Sequence, residues 1–225
     1  MIKIINEATE DYHVHSLNFS DGMDTIDGIV RFAGKIGLTR VAITDHCQAT
    51  LDYHHLAKKT FRSLVNRWEN PYANGVEVIF GVEADLLNEE GDICDQIQGL
   101  SSDWLILSAH KITYAGDPTK VTEGYIKAME RHGTRIKLIG HPCSKRDFAE
   151  VTDIRKLAEA ANERNMPLEI NGAGLAGDNT DFRQLDLMLS LVNKIVVNSD
   201  AHTNYELKYG RDWGRAYLRK KGYVK

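Results

Sequence analysis

At 225 residues, with 42% hydrophobic side chains and a formal net charge of −4, the chain can bury a sizeable core and is too acidic for a broad nucleic-acid footprint. The N-terminal stretch MIKIINEATEDY carries charges where a signal peptide needs an unbroken apolar run. No segment approaches the roughly 18 apolar residues of a membrane span, so a cytoplasmic protein without membrane contact is expected.

Four scattered prolines and the absence of any Ser/Gly run or charge block make residues 1–225 read as one domain. Cys47, Cys94 and Cys143 are odd in number and lack C-x-x-C spacing, which argues against a disulfide framework or a zinc finger and for small buried thiols. Short β-branched runs then alternate with amphipathic segments. The first strand is Tyr12–His15. DTIDGIVRFAGKIG follows, with Ile26, Ile29, Val30, Ala33 and Ile36 at helical spacing, Asp24 as N-cap and Gly37 as stop. RVAITDH (Arg40–His46) is the second strand, and residues 51–70 read as a longer helix. VEVIFGVEAD (Val76–Asp85) and DWLILSAH (Asp103–His110) are the third and fourth strands, with a helix over 119–131. IKLIGH (Ile136–His141) precedes a helix around 154–164, and MPLEIN (Met166–Asn171) precedes one near 182–191. KIVVNSD (Lys194–Asp200) is the seventh strand, followed by a loop from Thr203 to Trp213 and a last helix over 213–221. Seven strands, nearly all followed by helices, predict an α/β fold built as a parallel barrel.

Barrel enzymes place their chemistry at the C-terminal ends of the strands. Six of the seven predicted strands end in metal-ligand residue types: His13 and His15, His46, Glu83, His110, His141 and Asp200, with His202 two residues beyond. Of nine histidines in the chain, six fall at these ends, where random scatter would leave most in helices and loops. Residues i and i+2 of a strand share a side, so His13 and His15 can grip one ion, as can Asp200 and His202.

The set HVHS with SDG, ITDH, GVEAD, SAH, GHP and NSDAH resembles the PHP superfamily, named for polymerase and histidinol phosphatase, from Tyr12 to His202. The resemblance implies a distorted, TIM-barrel-like (β/α)7 barrel whose C-terminal face holds up to three divalent ions. It also implies nine metal ligands: His13, His15, Asp21, His46, Glu83, His110, His141, Asp200 and His202. The spacer between His15 and SDG is one residue longer than the family pattern. Glu83, bridging two ions, His15 and Asp200 are expected to carry the catalysis.

Three carboxylates (Asp21, Glu83, Asp200) against three divalent ions leave a positive surplus that attracts phosphate. Water on such an ion has its pKa lowered toward about 7, and paired ions clamp both oxygens of an in-line displacement, so phosphoester hydrolysis is the expected reaction. Imidazole and carboxylate donors without thiolate suit zinc, manganese or iron, with zinc or manganese preferred. Lys111, Lys145 and Arg146 are candidate phosphate-binding cations, Arg146 favoured for its two-pronged geometry. Asn171 is a candidate hydrogen-bond partner of the substrate or of a turn. Asp45 reads as a supporting carboxylate facing away from His46. His54, His55 and His132 lie on predicted helices. Tyr205, Arg211 and Trp213 are placed as a lid or wall, or as core and surface.

The leading expectation is a stand-alone phosphatase acting on a small phosphomonoester such as L-histidinol phosphate. A 3′–5′ exonuclease or phosphodiesterase needs a basic track that the chain lacks. An amidohydrolase, with its H-x-H start and closing aspartate, and a non-catalytic metal-binding protein are the further alternatives.

Overall fold

Seven parallel strands follow one another around a distorted barrel in the computed structural model, which describes residues 2–58 and 60–224. They are β1 (Glu10–Val14), β2 (Arg40–His46), β3 (Glu77–Leu86), β4 (Leu105–Ser108), β5 (Ile136–Ile139), β6 (Leu168–Asn171) and β7 (Lys194–Asn198). The helices are α1 (Ile26–Lys35), α2 (Gln48–Tyr53), α3 (Val121–His132), α4 (Ile154–Glu163), α5 (Gly172–Ala176), α6 (Phe182–Leu191) and α7 (Asn204–Lys220).

The seam between β7 and β1 closes in two ways. At the mouth, the His15 amide donates to the Ala201 carbonyl at 2.9 Å and the Ala201 amide to His13 at 3.2 Å. Lower down, the short strand Lys3–Ile4 pairs with β7, and the Asn6 side chain imitates one more ladder rung by bonding both the amide (3.0 Å) and the carbonyl (2.8 Å) of Val197.

Alternation along the strands sorts the side chains into layers. Val41, Ile43, Val82, Ala84, Leu105, Leu107, Ile195 and Val197 face outward, where they are buried against the helices. Fully burying a side chain of this size contributes about 1.5–3 kcal/mol. Inward, Tyr12, Ala42, Ile106, Leu138 and Val196 form an apolar floor. Above it, the same alternation brings Glu83, Ser108, Glu169 and Asn198 into a buried polar layer.

The expected elements hold, with three corrections. Residues 51–70 are not one helix: α2 ends at Tyr53, His55 adopts a left-handed φ of 55° that no helix continues through, and only Arg62–Arg67 regains a 3-10 turn. Tertiary contact overrides propensity there. Arg62 is buried with its guanidinium 5.1 Å from the Phe19 ring centroid, and it donates to the Gly81 carbonyl at 2.8 Å. The expected loop from Thr203 to Trp213 is instead the first part of α7, started by a reciprocal cap between Thr203 and Glu206. Lastly, α1 is capped by Thr25, one residue after Asp24, while Gly37 ends it at a φ of 83°. No helix among the described residues is long and apolar enough to cross a membrane.

Candidate metal centre

Two local devices aim the first strand at the mouth. A register shift in β1 between Asp11 and Val14 lets consecutive residues point inward, Tyr12 to the floor and His13 to the polar layer, while His15 reaches the rim. The SDG loop then folds back on the strand. A Cβ at Gly22 would collide with the His15 carbonyl, so only glycine allows the approach that returns Asp21 to the rim. His141 (φ 22°) and Asp200 (φ 55°) also sit at positive φ where their strands end, a strain found where surrounding structure dictates the side-chain direction.

All nine expected donors converge. Their ligand atoms form overlapping sets within 4.8 Å: His15, Asp21, His46 and His202; His13, His15 and Asp200; His46, Glu83 and His110. His141 joins through Glu83, its Nε2 2.9 Å from Oε1. Glu83 is the hub, with Oε1 3.4 Å from His13 Nε2 and 3.5 Å from His110 Nε2, and Oε2 2.7 Å from His46 Nδ1. Among the described residues, His13 Nε2, His15 Nδ1, His46 Nδ1 and Glu83 Oε2 are buried without a hydrogen-bond partner. The short His46–Glu83 approach is therefore misaligned for a hydrogen bond, as for two donors aimed at a common cation. Orphaned nitrogens and carboxylate oxygens facing one another fit divalent metal ions.

The electrostatics point the same way. Burial alone would raise the Glu83 pKa, but His13, His46 and His110 hold it well below the usual carboxylate value. Asp200 is likewise lowered despite burial, by His13, His15 and His202. Asp21 is lowered against its burial by His202, His46 and His15. Burial, with His202 and His46 close by, drops His15 to about 3 and keeps it neutral. His110 rises to about 10 and His202 to about 9, each overcoming burial through its carboxylate neighbours.

Supporting groups fix the tautomers. Glu169 Oε1 accepts from His13 Nδ1 at 2.9 Å and from Asn198 at 2.8 Å, while Oε2 accepts the His141 amide at 3.0 Å. Asp85 accepts from His110 Nδ1 at 2.6 Å, leaving Nε2 for the centre. Sequence reasoning missed both. The signal was available: Glu169 is two residues before Asn171, as Asp85 is two after Glu83, on the same inward face. Asp45 faces the other way and accepts the amide (2.6 Å) and hydroxyl (2.8 Å) of Ser16, with burial raising its pKa to about 6.

The centre opens into a cavity of about 750 Å³. Arg146 and Lys111 line it and Lys145 does not. Lys111 pairs with Glu150 at 3.4 Å and Lys145 with Asp178 at 3.1 Å, whereas Arg146 has no ion-pair partner among the described residues. Asn171 also lines the cavity; it donates to Asp200 Oδ2 at 2.8 Å and caps α5 by accepting the Gly174 amide at 2.7 Å. Tyr205 and Trp213 form part of the wall from α7, their rings 5.9 Å apart. Arg211 takes no part in it: it is buried, donating to Asp11 at 2.7 Å. His54 lines the cavity rim, and His55 and His132 do not. Cys47 and Cys143 are buried thiols, as expected, whereas Cys94 is only partly buried.

The model of the PHP domain matches residues 11–173. The chain belongs to the PHP domain family. Asp200 and His202 lie beyond the matched span, with ligand atoms within 4.8 Å of those of His13, His15, Asp21 and His46 in their respective groups. Relatives named probable phosphatases cover 88% of the chain: one from Shewanella piezotolerans is 26% identical, with 79% of its own length aligned. Another, from Thermoanaerobacter sp. strain X514, is 27% identical, with 80% aligned. Among solved structures, histidinol phosphate phosphatase from Lactococcus lactis, complexed with zinc, L-histidinol and phosphate, shares the fold at a TM-score of 0.59 and 16% identity. That alignment covers 95% of this chain and 93% of the other. A Listeria monocytogenes protein named as a candidate histidinol phosphatase matches at a TM-score of 0.58 and 15% identity, covering 90% and 98% of the two chains. Family membership and the converging donors make this PHP protein a metal-dependent phosphoesterase.

Proposed function

We propose that the protein hydrolyses a small phosphomonoester at a three-ion site held by His13, His15, Asp21, His46, Glu83, His110, His141, Asp200 and His202. The observation that supports the reading is the convergence of these donors, five of the histidines on Glu83 itself, beside an open cavity. Bound zinc or manganese would supply an activated water and neutralise charge on the phosphoryl group. The protein's own residues do the rest. Glu83 offers both oxygens to neighbouring donor sets, while Glu169 and Asp85 hold protons at His13 Nδ1 and His110 Nδ1 so that the opposite nitrogens face inward. Asn171 orients Asp200. Arg146, which lines the cavity without an ion-pair partner among the described residues, is suited to the non-bridging phosphate oxygens.

Size and charge favour a monoester over a nucleic-acid strand. The cavity falls within the ~300–1,000 Å³ range of small-molecule sites, and the one unpaired cation lining it among the described residues suits one phosphate group rather than a track of them. The complex of the Lactococcus lactis enzyme with L-histidinol and phosphate makes histidinol phosphate the first substrate to try. The test is a phosphate-release screen of histidinol phosphate, a generic aryl phosphate, a generic diester and a short DNA strand with metal-loaded protein. Preference for a monoester is expected. Preference for the diester or DNA would replace this reading by a phosphodiesterase, and inactivity on every ester would leave a metal-binding protein.

A further inference from the structure

The loop after β5 carries a carboxylate that the nine-donor pattern does not include. Ligand atoms of Asp147, His110 and His141 lie within 4.8 Å of one another, the same spacing that defines the other donor sets, and Asp147 lines the cavity. We propose that Asp147 is a tenth metal ligand, joining His110 and His141 on one divalent cation. The inference rests on the metal-centre reading above and goes beyond it by adding a donor.

Four features of the surroundings support the assignment. Asp147 is anchored by neutral groups only: Oδ2 accepts the Ser144 hydroxyl at 2.8 Å and Oδ1 the Lys111 amide at 3.4 Å. The nearby ammonium is drawn away, since Lys111 Nζ lies over the Phe148 ring, 5.9 Å from its centroid, and 3.4 Å from Glu150. No ion pair neutralises Asp147 among the described residues, so its charge faces the cavity uncompensated. On the side of the centre the two histidines share a single carboxylate, because the Asp85 partner of His110, at 2.6 Å, is bound through Nδ1 and leaves Nε2 free. Glu83 is their common neighbour, at 2.9 Å from His141 and 3.5 Å from His110, yet it is also shared with His13 and His46. A cation between His110 and His141 therefore gains from a second anionic oxygen that no other donor set claims. Adding a hard oxygen ligand shifts the preference of that position toward manganese or iron relative to an imidazole-rich one.

The test is calorimetric titration of chelator-stripped protein with Mn2+ and, separately, Zn2+, comparing wild type with Asp147→Ala, Asp147→Asn and Ser144→Ala, each checked for native circular dichroism. Asp147→Ala should weaken one bound equivalent by about 10–100-fold, more for Mn2+ than for Zn2+, and leave the others unchanged. Ser144→Ala removes only the hydroxyl on Oδ2 and should bind within about threefold of wild type. Should Asp147→Ala fail to fold, Asp147→Asn keeps the shape without the charge and should weaken the same equivalent. Wild-type affinity for every equivalent in the folded Asp147 variant would overturn the proposal. A wild type that takes up neither metal would instead defeat the metal-centre reading itself.

Discussion

Glu83 touches more of the centre than any other side chain, through His13, His46, His110 and His141 and through the Ser108 hydroxyl at 2.7 Å. Glu83→Ala should therefore lower turnover by at least about 100-fold in steady-state assays while leaving the fold intact, since it removes the carboxylate shared by four of the proposed histidine ligands. Glu169→Gln is the subtler case. It keeps the volume but spoils the acceptor pairing with His13 Nδ1, and it should cost about 10–100-fold in metal affinity or activity, read by metal titration beside kinetics. The two residues differ in how openly they show in the sequence. Glu83 stands in GVEAD at a strand end, among motifs that recur at other strand ends, whereas Glu169 lies inside LEIN, where only its spacing of two from Asn171 marks the inward face. Asp147 is harder still, because only the folding of the loop after His141 brings it back toward His110.

At the scale of elements, α7 changes most between sequence and structure. Its start is legible in Thr203 and Glu206, spaced as a reciprocal cap, while Gly210 and Gly214 lower the helix propensity of the segment. Packing explains both glycines: a Cβ at Gly210 would meet Ser199, and one at Gly214 would meet Val197. Arg211 is the helix's main anchor to the barrel. Replacing it by alanine leaves Asp11 buried and uncompensated, which should cost about 3–5 kcal/mol in chemical denaturation. Thr203→Ala should cost about 1 kcal/mol by loss of the cap. A lid role for Arg211 would instead give a change in KM with unaltered stability. The second strand and α6 were read to the residue and the other six strands to within two residues at each end, because their apolar periodicity is local. Residues 51–70 were misread because the burial of Arg62 depends on Phe19 and Gly81, distant in the chain, and apolar spacing does not mark the left-handed turn at His55.

For the whole molecule, metal held at the proposed donor cluster would couple metal binding, protons and stability. His110 (about 10) and His202 (about 9) have folded-state pKa values above the ordinary 6.5, so the stability contributed by their pairing with carboxylates is fully present below about pH 6.5 and lost as pH rises through 9 to 10. Metal ions require the same imidazoles unprotonated, so metal uptake releases protons and tightens as pH rises. The gain in Tm on adding Mn2+ or Zn2+ to chelator-stripped protein should therefore widen from pH 6 to pH 9; a gain that shrinks over that range would mean these histidines do not bind the ions. The central claim is that residues far apart in the chain converge at the barrel mouth to hold cations that act on phosphorus. Its most direct test is phosphate release from a phosphomonoester before stripping, after chelation and after restoring Mn2+ or Zn2+. Activity should vanish on chelation and return with the ion, and it should not return in Glu83→Ala. Hydrolysis that persists in fully stripped protein, or that never occurs in metal-loaded protein, would contradict it.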